Sequence, residues 1–189
     1  MATTNATTAA TVHTLSVPGA TLHFRTEGAG PVLLLSQSGE GDADRTVDLV
    51  PHLTDTFTVV TYDRRGLSRS TLDDPARPVT MADHADDVAR LLAELTDRPA
   101  LMAGFSMGAA IGLHTVVRHP GVLHTLIAHE PVMPNLLSGA ERAEHVAELT
   151  AIQGAYAGGG WRRRSRRSPG TSASTRRTTR PRGASPRSR

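Results

Sequence analysis

The stretch ALMAGFSMGAA, residues 100–110, joins an apolar run to a Gly-x-Ser-x-Gly pattern and then to more small residues. The apolar run predicts a buried strand, and the residues that follow, up to the helix-stopping Pro120, predict a helix. A serine between a buried strand and a helix lies on a sharp turn, which requires small neighbours such as Gly104 and Gly108. The strain of that turn would expose the Ser106 hydroxyl at the carboxyl end of the strand.

We therefore predict that Ser106 is a nucleophile. Met107 begins the predicted helix, so its backbone N–H is a candidate donor to a developing oxyanion. Phe105, the other neighbour of the serine, is predicted to line the substrate-binding site. The alternative is that Ser106 only caps the helix, as serine does at many ordinary strand–helix turns.

The rest of the chain alternates between predicted strands and predicted helices. Apolar and polar residues alternate over 12–17 and 21–26, on either side of a Pro-Gly pair, and this pattern predicts a β-hairpin. Further strands are predicted at 31–36, 57–63 and 123–131, a loop at 64–79, and further helices at 45–53, after Thr80 and after Ser138. Asp83 follows Thr80 by three positions in a pattern that resembles a capping box, and Glu141 follows Ser138 in the same way. Regular alternation of this kind predicts a mostly parallel, doubly wound α/β sheet.

Several of these segments, in this order, resemble the α/β hydrolase fold family, in particular its small esterases and haloperoxidase-like members. They are the opening hairpin, PVLLLSQSGEGD at 31–42, VVTYDRRGLSRS at 59–70, GFSMG at 104–108 and the strand that ends in HEP at 129–131. The resemblance covers about residues 12–157. It implies a serine hydrolase that acts on a small ester or a related acyl substrate.

The resemblance also implies a second oxyanion donor in the loop after the third strand. Family members usually carry His-Gly or Pro-Gly and a further glycine there, whereas this chain has Gln37, Ser38 and Gly39. The backbone N–H of Ser38 or Gly39 is the predicted donor, and the side-chain amide of Gln37 is a predicted binding group. A plain polar loop is the alternative. Asp63, in the next matching loop, is expected to pair with a nearby arginine rather than to act as a catalytic acid.

The other two members of a catalytic triad are missing from their expected places. In this fold an acid and then a histidine follow the serine along the chain, but the sequence has no histidine after His145 and no acid after Glu148. His129 and Glu130 end a predicted strand on the same edge as Ser106, so they are candidates for a base and an acid. We favour the alternative that both shape the pocket wall. We therefore expect an incomplete fold without its last strands, and weak or no activity. The alternative function is that of a non-catalytic hydrolase-like binding module, or of a fold remnant with a polycationic tail that could bind nucleic acid.

Charge divides the chain into two parts. Residues 1–160 hold 10 arginines against 18 acidic residues, a net charge of −8, whereas residues 161–189 hold 11 arginines and no acid, a net charge of +11. The second part lacks Val, Ile, Leu, Met and Phe, which predicts disorder. We favour out-of-frame translation of a GC-rich gene as its origin. The alternative is an arm that binds nucleic acid through its arginines.

The predicted organisation is a disordered leader at 1–11, a hydrolase core at 12–133, the start of a lid at 134–157 and a disordered tail at 158–189. The sequence has no cysteine, so it can form no disulfide. It shows no export signal and no apolar run long enough to span a membrane, so we expect a cytoplasmic protein. A small-molecule substrate is the expected partner, and we expect no membrane contact, metal or cofactor.

Overall fold

The computed structural model describes residues 10–157. The predicted tail and most of the predicted leader therefore lie outside the described residues. The chain divides into one compact unit that ends at Met133 and a second that begins at Pro134. Within the described part, no helix is long and apolar enough to cross a membrane.

The first unit is built on a sheet of seven strands. They are β1 (Thr11–Val17), β2 (Ala20–Glu27), β3 (Val32–Ser36), β4 (Thr58–Tyr62), β5 (Thr71–Leu72), β6 (Ala100–Phe105) and β7 (Leu123–His129). Their order across the sheet is β1-β2-β4-β3-β6-β7, and the short β5 pairs with β2. β1 and β2 form the predicted antiparallel hairpin, and β4, β3, β6 and β7 run parallel. The predicted fold class is confirmed, although β5 was predicted as loop.

Two helices, α1 (Met81–Leu95) and α2 (Met107–Arg118), pack on one face of this sheet. α1 begins at the predicted capping box, in which the Thr80 hydroxyl accepts from the Asp83 N–H and the Asp83 carboxylate accepts from the Thr80 N–H. The shared core contains buried residues from both helices and from the strands beneath them: Val88, Leu91, Leu92, Ile111, Leu34, Val60 and Met102.

The prediction of a helix at 45–53 is wrong. The segment forms two 3₁₀ turns instead, Ala43–Thr46 and Val50–His52. Pro51 has no backbone N–H to donate to the preceding turn, so a continuous α-helix is unfavourable here. Apolar side chains of the segment nevertheless cover the second face of the sheet, in a cluster that contains Val50, Leu53, Leu33, Leu35 and Val59.

The described part of the second unit contains a 3₁₀ turn, Pro134–Leu136, and the helix α3, Gly139–Ala157. α3 begins as the sequence predicts. The Ser138 N–H donates to the Glu141 carboxylate at 3.0 Å, and the Glu141 N–H donates to the Ser138 hydroxyl at 3.4 Å. The role of this segment as the start of a lid stays a prediction.

The parallel strands bring chemically useful residues to one edge of the first unit. The carboxyl ends of β3, β4, β6 and β7 meet there, because parallel neighbours run in the same direction. The residues that directly follow these four strands are Gln37, Asp63, Ser106 and Glu130. This edge is therefore where a functional site is expected.

Candidate active site

Ser106 lies on a strained turn between β6 and α2. Its backbone has φ 52° and ψ −111°, a conformation that is rare for any residue with a side chain. Its side chain makes no capping hydrogen bond to the helix. The structure therefore does not support the alternative that Ser106 is an ordinary helix cap. Strain of this kind persists where the surrounding structure imposes it, and it is typical of functional sites.

The glycines on either side of Ser106 make this turn possible. A Cβ at Gly104 would lie 2.6 Å from the carbonyl oxygen of Gly108, and a Cβ at Gly108 would lie 2.1 Å from the carbonyl oxygen of Ser36. Both contacts are with backbone atoms, which cannot move aside as a side-chain end can. The Gly-x-Ser-x-Gly pattern thus reflects the close approach of α2 to β3 and β6.

Hydrogen bonds connect the turn to the end of β7. The Ser106 N–H donates to the His129 carbonyl at 2.9 Å, and the Val132 N–H donates to the Ser106 carbonyl at 3.4 Å. The next N–H along the chain belongs to Met107, the first residue of α2, and such a residue has no acceptor within its own helix. The N–H of Met107 thus suits the role of oxyanion donor that the sequence predicts for it.

A cavity of about 430 Å³ opens beside the turn. Six of the eight predicted site residues line it: Gln37, Ser38, Phe105, Ser106, His129 and Glu130. Gly39 and Met107 do not line it. The structure therefore brings most of the predicted site to one cavity, although the catalytic and binding roles themselves stay predictions.

The loop after β3 presents free N–H groups next to this cavity. Its carbonyl groups are occupied: the Ser38 carbonyl accepts from the Gly41 N–H at 3.2 Å, and the Gly39 carbonyl accepts from the side chain of Arg64. The N–H groups of Ser38 and Gly39 have no hydrogen-bond acceptor among the described residues. Free N–H groups are what a second oxyanion donor requires, and that role of the loop stays a prediction.

Arg64 supports that loop from within the protein. It is only 3% exposed, and its Nε and Nη1 atoms have no hydrogen-bond partner among the described residues. Its own N–H donates to the Gly41 carbonyl at 2.9 Å. Burial lowers the pKa of Arg64 from its ordinary value. Arg64 was not identified from the sequence as a partner of the loop.

His129 and Glu130 lie in the cavity wall beside Ser106. The His129 ring is 6.2 Å from the Phe105 ring, centroid to centroid, at an angle of 53°. No hydrogen bond joins the His129 ring to the Ser106 hydroxyl or to the Glu130 carboxylate. Glu130 has a positive φ of 49°, so it is a second residue, after Ser106, that lines the cavity with a strained backbone.

Two ion pairs hold the loop after β4, and one of them is buried on both sides. Asp63 accepts from the Ala43 N–H at 2.8 Å and from Arg69 Nε at 2.6 Å. Burial raises the pKa of Asp63, but the hydrogen bonds from Arg69 and Ala43 outweigh it and bring the pKa below its ordinary value. Arg65 Nε donates to the Asp87 carboxylate at 2.6 Å, and both side chains are 2% exposed. Asp63 is thus an ion-pair partner, as the sequence predicts.

Sequence reasoning missed one wall of the cavity. Glu40, Arg45, Thr46, Asp48 and Leu49 line it, and all belong to the segment with the wrongly predicted helix or to the loop before it. No local signal identifies them, because their place in the wall depends on how this loop folds back over the sheet edge.

A sequence profile of the α/β hydrolase fold family matches residues 31–153, well over half of the chain. The chain belongs to this family. The match includes the loop after β3, the segment at 40–49, the turn at Ser106 and the end of β7, which together form the cavity. The resemblance predicted from the sequence is therefore confirmed.

Individual relatives support the same assignment. The chain is 48% identical over 128 residues to the uncharacterized hydrolase YraK of Bacillus subtilis, covering 68% of this chain and 47% of that protein. It is 30% identical over 108 residues to 2-(acetamidomethylene)succinate hydrolase of Mesorhizobium japonicum, covering 57% and 38%. The crystal structure of a hydrolase from Pseudomonas aeruginosa is similar, with a TM-score of 0.61 and 28% identity, covering 84% and 63%. The chain thus spans less than half the length of these two curated relatives.

Proposed function

We propose that this family member hydrolyses a small ester or a related acyl substrate, with Ser106 as the nucleophile. The observation that carries the proposal is the backbone of Ser106. Its strained φ of 52°, at the head of α2 and in the wall of a cavity, is the geometry that a nucleophilic serine requires. A serine with a merely structural role at this turn would need neither the strain nor the cavity.

The chemistry follows from the groups around the serine. The Ser106 oxygen attacks the carbonyl carbon of the substrate, its proton passes to a base, and the carbonyl oxygen becomes an oxyanion. The N–H of Met107 and the N–H of Ser38 or Gly39 donate hydrogen bonds to that oxyanion. The protonated base gives its proton to the leaving oxygen, and departure of the alcohol leaves an acyl-serine. Water then hydrolyses the acyl-serine to the acid and the free enzyme.

The proton acceptor limits the rate that this chain supports. Among the described residues, His129 is the one histidine that lines the cavity, and it forms no hydrogen bond with Ser106. We propose that His129 and Glu130 shape the cavity wall rather than complete a triad. An enzyme that lacks a positioned triad base loses about 10⁴ to 10⁶ in kcat, and the residual rate comes from the oxyanion donors and substrate binding.

A serine-reactive phosphonate tests the nucleophile directly. We expect one covalent adduct on the intact chain by mass spectrometry and slow turnover of p-nitrophenyl acetate. Ser106→Ala is expected to abolish both signals, whereas Ser16→Ala, which removes an exposed serine on β1, is expected to change neither.

The outcomes separate this proposal from its alternative. Labelling that survives in Ser106→Ala would exclude Ser106 as the nucleophile. Fast turnover that Ser106→Ala abolishes would contradict the expected weak activity but support the nucleophile. The absence of any adduct on the intact chain would favour the second candidate function, a non-catalytic binding module with a hydrolase fold.

A further inference from the structure

We infer that the cavity beside Ser106 accepts a neutral or cationic substrate that presents a hydrogen-bond donor, and that it disfavours carboxylates. This inference rests on the proposed function, because it concerns the occupant of the same cavity. Two independent observations carry it. One is a buried hydrogen-bond acceptor that has no partner, and the other is the charge of the cavity wall.

The acceptor is the side-chain oxygen of Gln37. The Thr46 hydroxyl donates its single proton to the Ala43 carbonyl at 3.3 Å, so toward Gln37 it can only accept. The amide nitrogen of Gln37 accordingly faces Thr46, at 3.5 Å. The amide oxygen, Oε1, is buried and has no hydrogen-bond partner among the described residues, and Gln37 as a whole is 1% exposed.

A bound molecule can donate the hydrogen bond that the Gln37 side-chain oxygen lacks. A buried carbonyl oxygen without a donor is unfavourable, and Gln37 lines the cavity next to Ser106. A ligand with an N–H or O–H group supplies the missing donor. A site with such a polar group rejects an analogue without the donor, because the buried group then stays unpaired.

The charge of the wall points to the same class of ligand. Three carboxylates line the cavity, those of Glu40, Asp48 and Glu130, against the one guanidinium of Arg45, so the formal net charge is −2 with His129 neutral. Arg45 Nε lies 3.7 Å from Glu40 Oε1, so the cation is already paired. Asp48 and Glu130 form no ion pair with any residue that the structure describes.

These two carboxylates act on any charged ligand. At roughly 7 Å and in partly wet surroundings, their combined repulsion lowers the affinity for a bound carboxylate about tenfold relative to a neutral compound. The same field attracts an ammonium group. The cavity therefore favours ligands with a hydrogen-bond donor, because of Gln37, and binds anionic ligands less tightly, because of its carboxylates.

The test titrates the full 189-residue chain with four compounds built on one benzyl or phenyl ring. They are benzylammonium, benzyl alcohol, benzyl methyl ether and benzoate, and their dissociation constants are measured from NMR chemical-shift changes. We expect the alcohol, which has a donor, to bind at least about threefold more tightly than the ether, which has none. We expect benzylammonium to bind about a hundredfold more tightly than benzoate, because the two carboxylates attract the cation about as strongly as they repel the anion.

Three variants assign these preferences to residues. Gln37→Met removes the acceptor at similar length and is expected to abolish the preference for the alcohol over the ether. Asp48→Asn is expected to narrow the preference for benzylammonium over benzoate about tenfold, because the change weakens the cation and strengthens the anion by about threefold each. Glu94→Gln, the matched control, removes an exposed carboxylate of α1 that does not line the cavity, and is expected to change neither preference. Because Asp48 is exposed, Asp48→Asn is expected to fold normally. The charge preference can therefore be tested even where Gln37→Met fails to fold.

Three results would overturn the inference: benzoate that binds as tightly as benzylammonium, an ether that binds as tightly as the alcohol, or no measurable binding of any of the four. The phosphonate experiment separates this failure from that of the proposed function. Labelling of Ser106 together with a preference for benzoate refutes the substrate class alone. The expected ranking without any labelling refutes the nucleophile alone.

Discussion

Replacing Gly108 with alanine tests how the turn at the nucleophile is built. The new Cβ would lie 2.1 Å from the Ser36 carbonyl oxygen and 2.6 Å from that of Gln37, so α2 or the end of β3 must shift. Overpacking of a filled site costs up to about 3 kcal/mol. We use this upper value because both contacts are with backbone atoms, which cannot move aside as side-chain ends can. Alanine gains about 1 kcal/mol over glycine in a helix. We therefore expect Gly108→Ala to lower the free energy of unfolding by about 2 kcal/mol.

Gly112→Ala is the matched control, because it makes the same substitution one turn further along α2. Its Cβ would meet Leu126 Cδ1 at 2.6 Å and Met102 Cε at 3.2 Å, which are the ends of flexible side chains. Moving them to other rotamers costs about 1 kcal/mol, which offsets the helix gain. We expect almost no change in the free energy of unfolding. Urea titrations followed by far-UV circular dichroism measure both variants, and equal stability of the two would refute the reasoning.

The same pair of variants connects stability to chemistry. A shift of the first turn of α2 moves the Met107 N–H away from the loop at Ser38 and Gly39. Misplacement by about 1 Å costs about 10²-fold in rate where a group must be precisely positioned. The rate of Ser106 phosphonylation is therefore expected to fall in Gly108→Ala and to persist in Gly112→Ala.

The free energy of unfolding of Ser106→Gly is expected to be about 1 kcal/mol higher than that of Ser106→Ala, because only glycine adopts φ 52° without steric cost. Equal urea midpoints for the two variants would contradict a strained turn. Asp87→Asn leaves the buried Arg65 incompletely paired and is expected to cost about 3 kcal/mol, and a loss below about 1 kcal/mol would show that the pair contributes little. Burial, followed by the charges of nearby arginines, lowers the pKa of His84 to about 4. The unfolded chain therefore binds more protons between about pH 6.5 and 4, and stability falls by up to about 3 kcal/mol as the pH is lowered through that range. The melting temperature is expected to fall over the same pH range. His84→Gln is expected to reduce this fall, whereas His52→Gln, at an exposed position, is expected to leave it unchanged.

Features that depend on near neighbours were predicted well. The capping boxes at the starts of α1 and α3 involve residues three positions apart, and the hairpin of β1 and β2 turns at an adjacent Pro-Gly pair. The segment at 45–53 shows the limit of such patterns. Its apolar spacing suits a helix, but Pro51 and packing on the sheet produce short 3₁₀ turns instead.

The sequence by itself determined the alternation of strands and helices, the family and the strained turn at Ser106. The strands, helices and turn depend on apolar runs and glycine spacing within short stretches of chain, and the family follows from the order of several such stretches. Tertiary structure alone decided the wall of the cavity, the unpaired oxygen of Gln37 and the partner of Arg65, which lies 22 positions away at Asp87. These features arise where loops from different strands meet at one sheet edge, and the distances between such loops in space leave no trace in local sequence patterns.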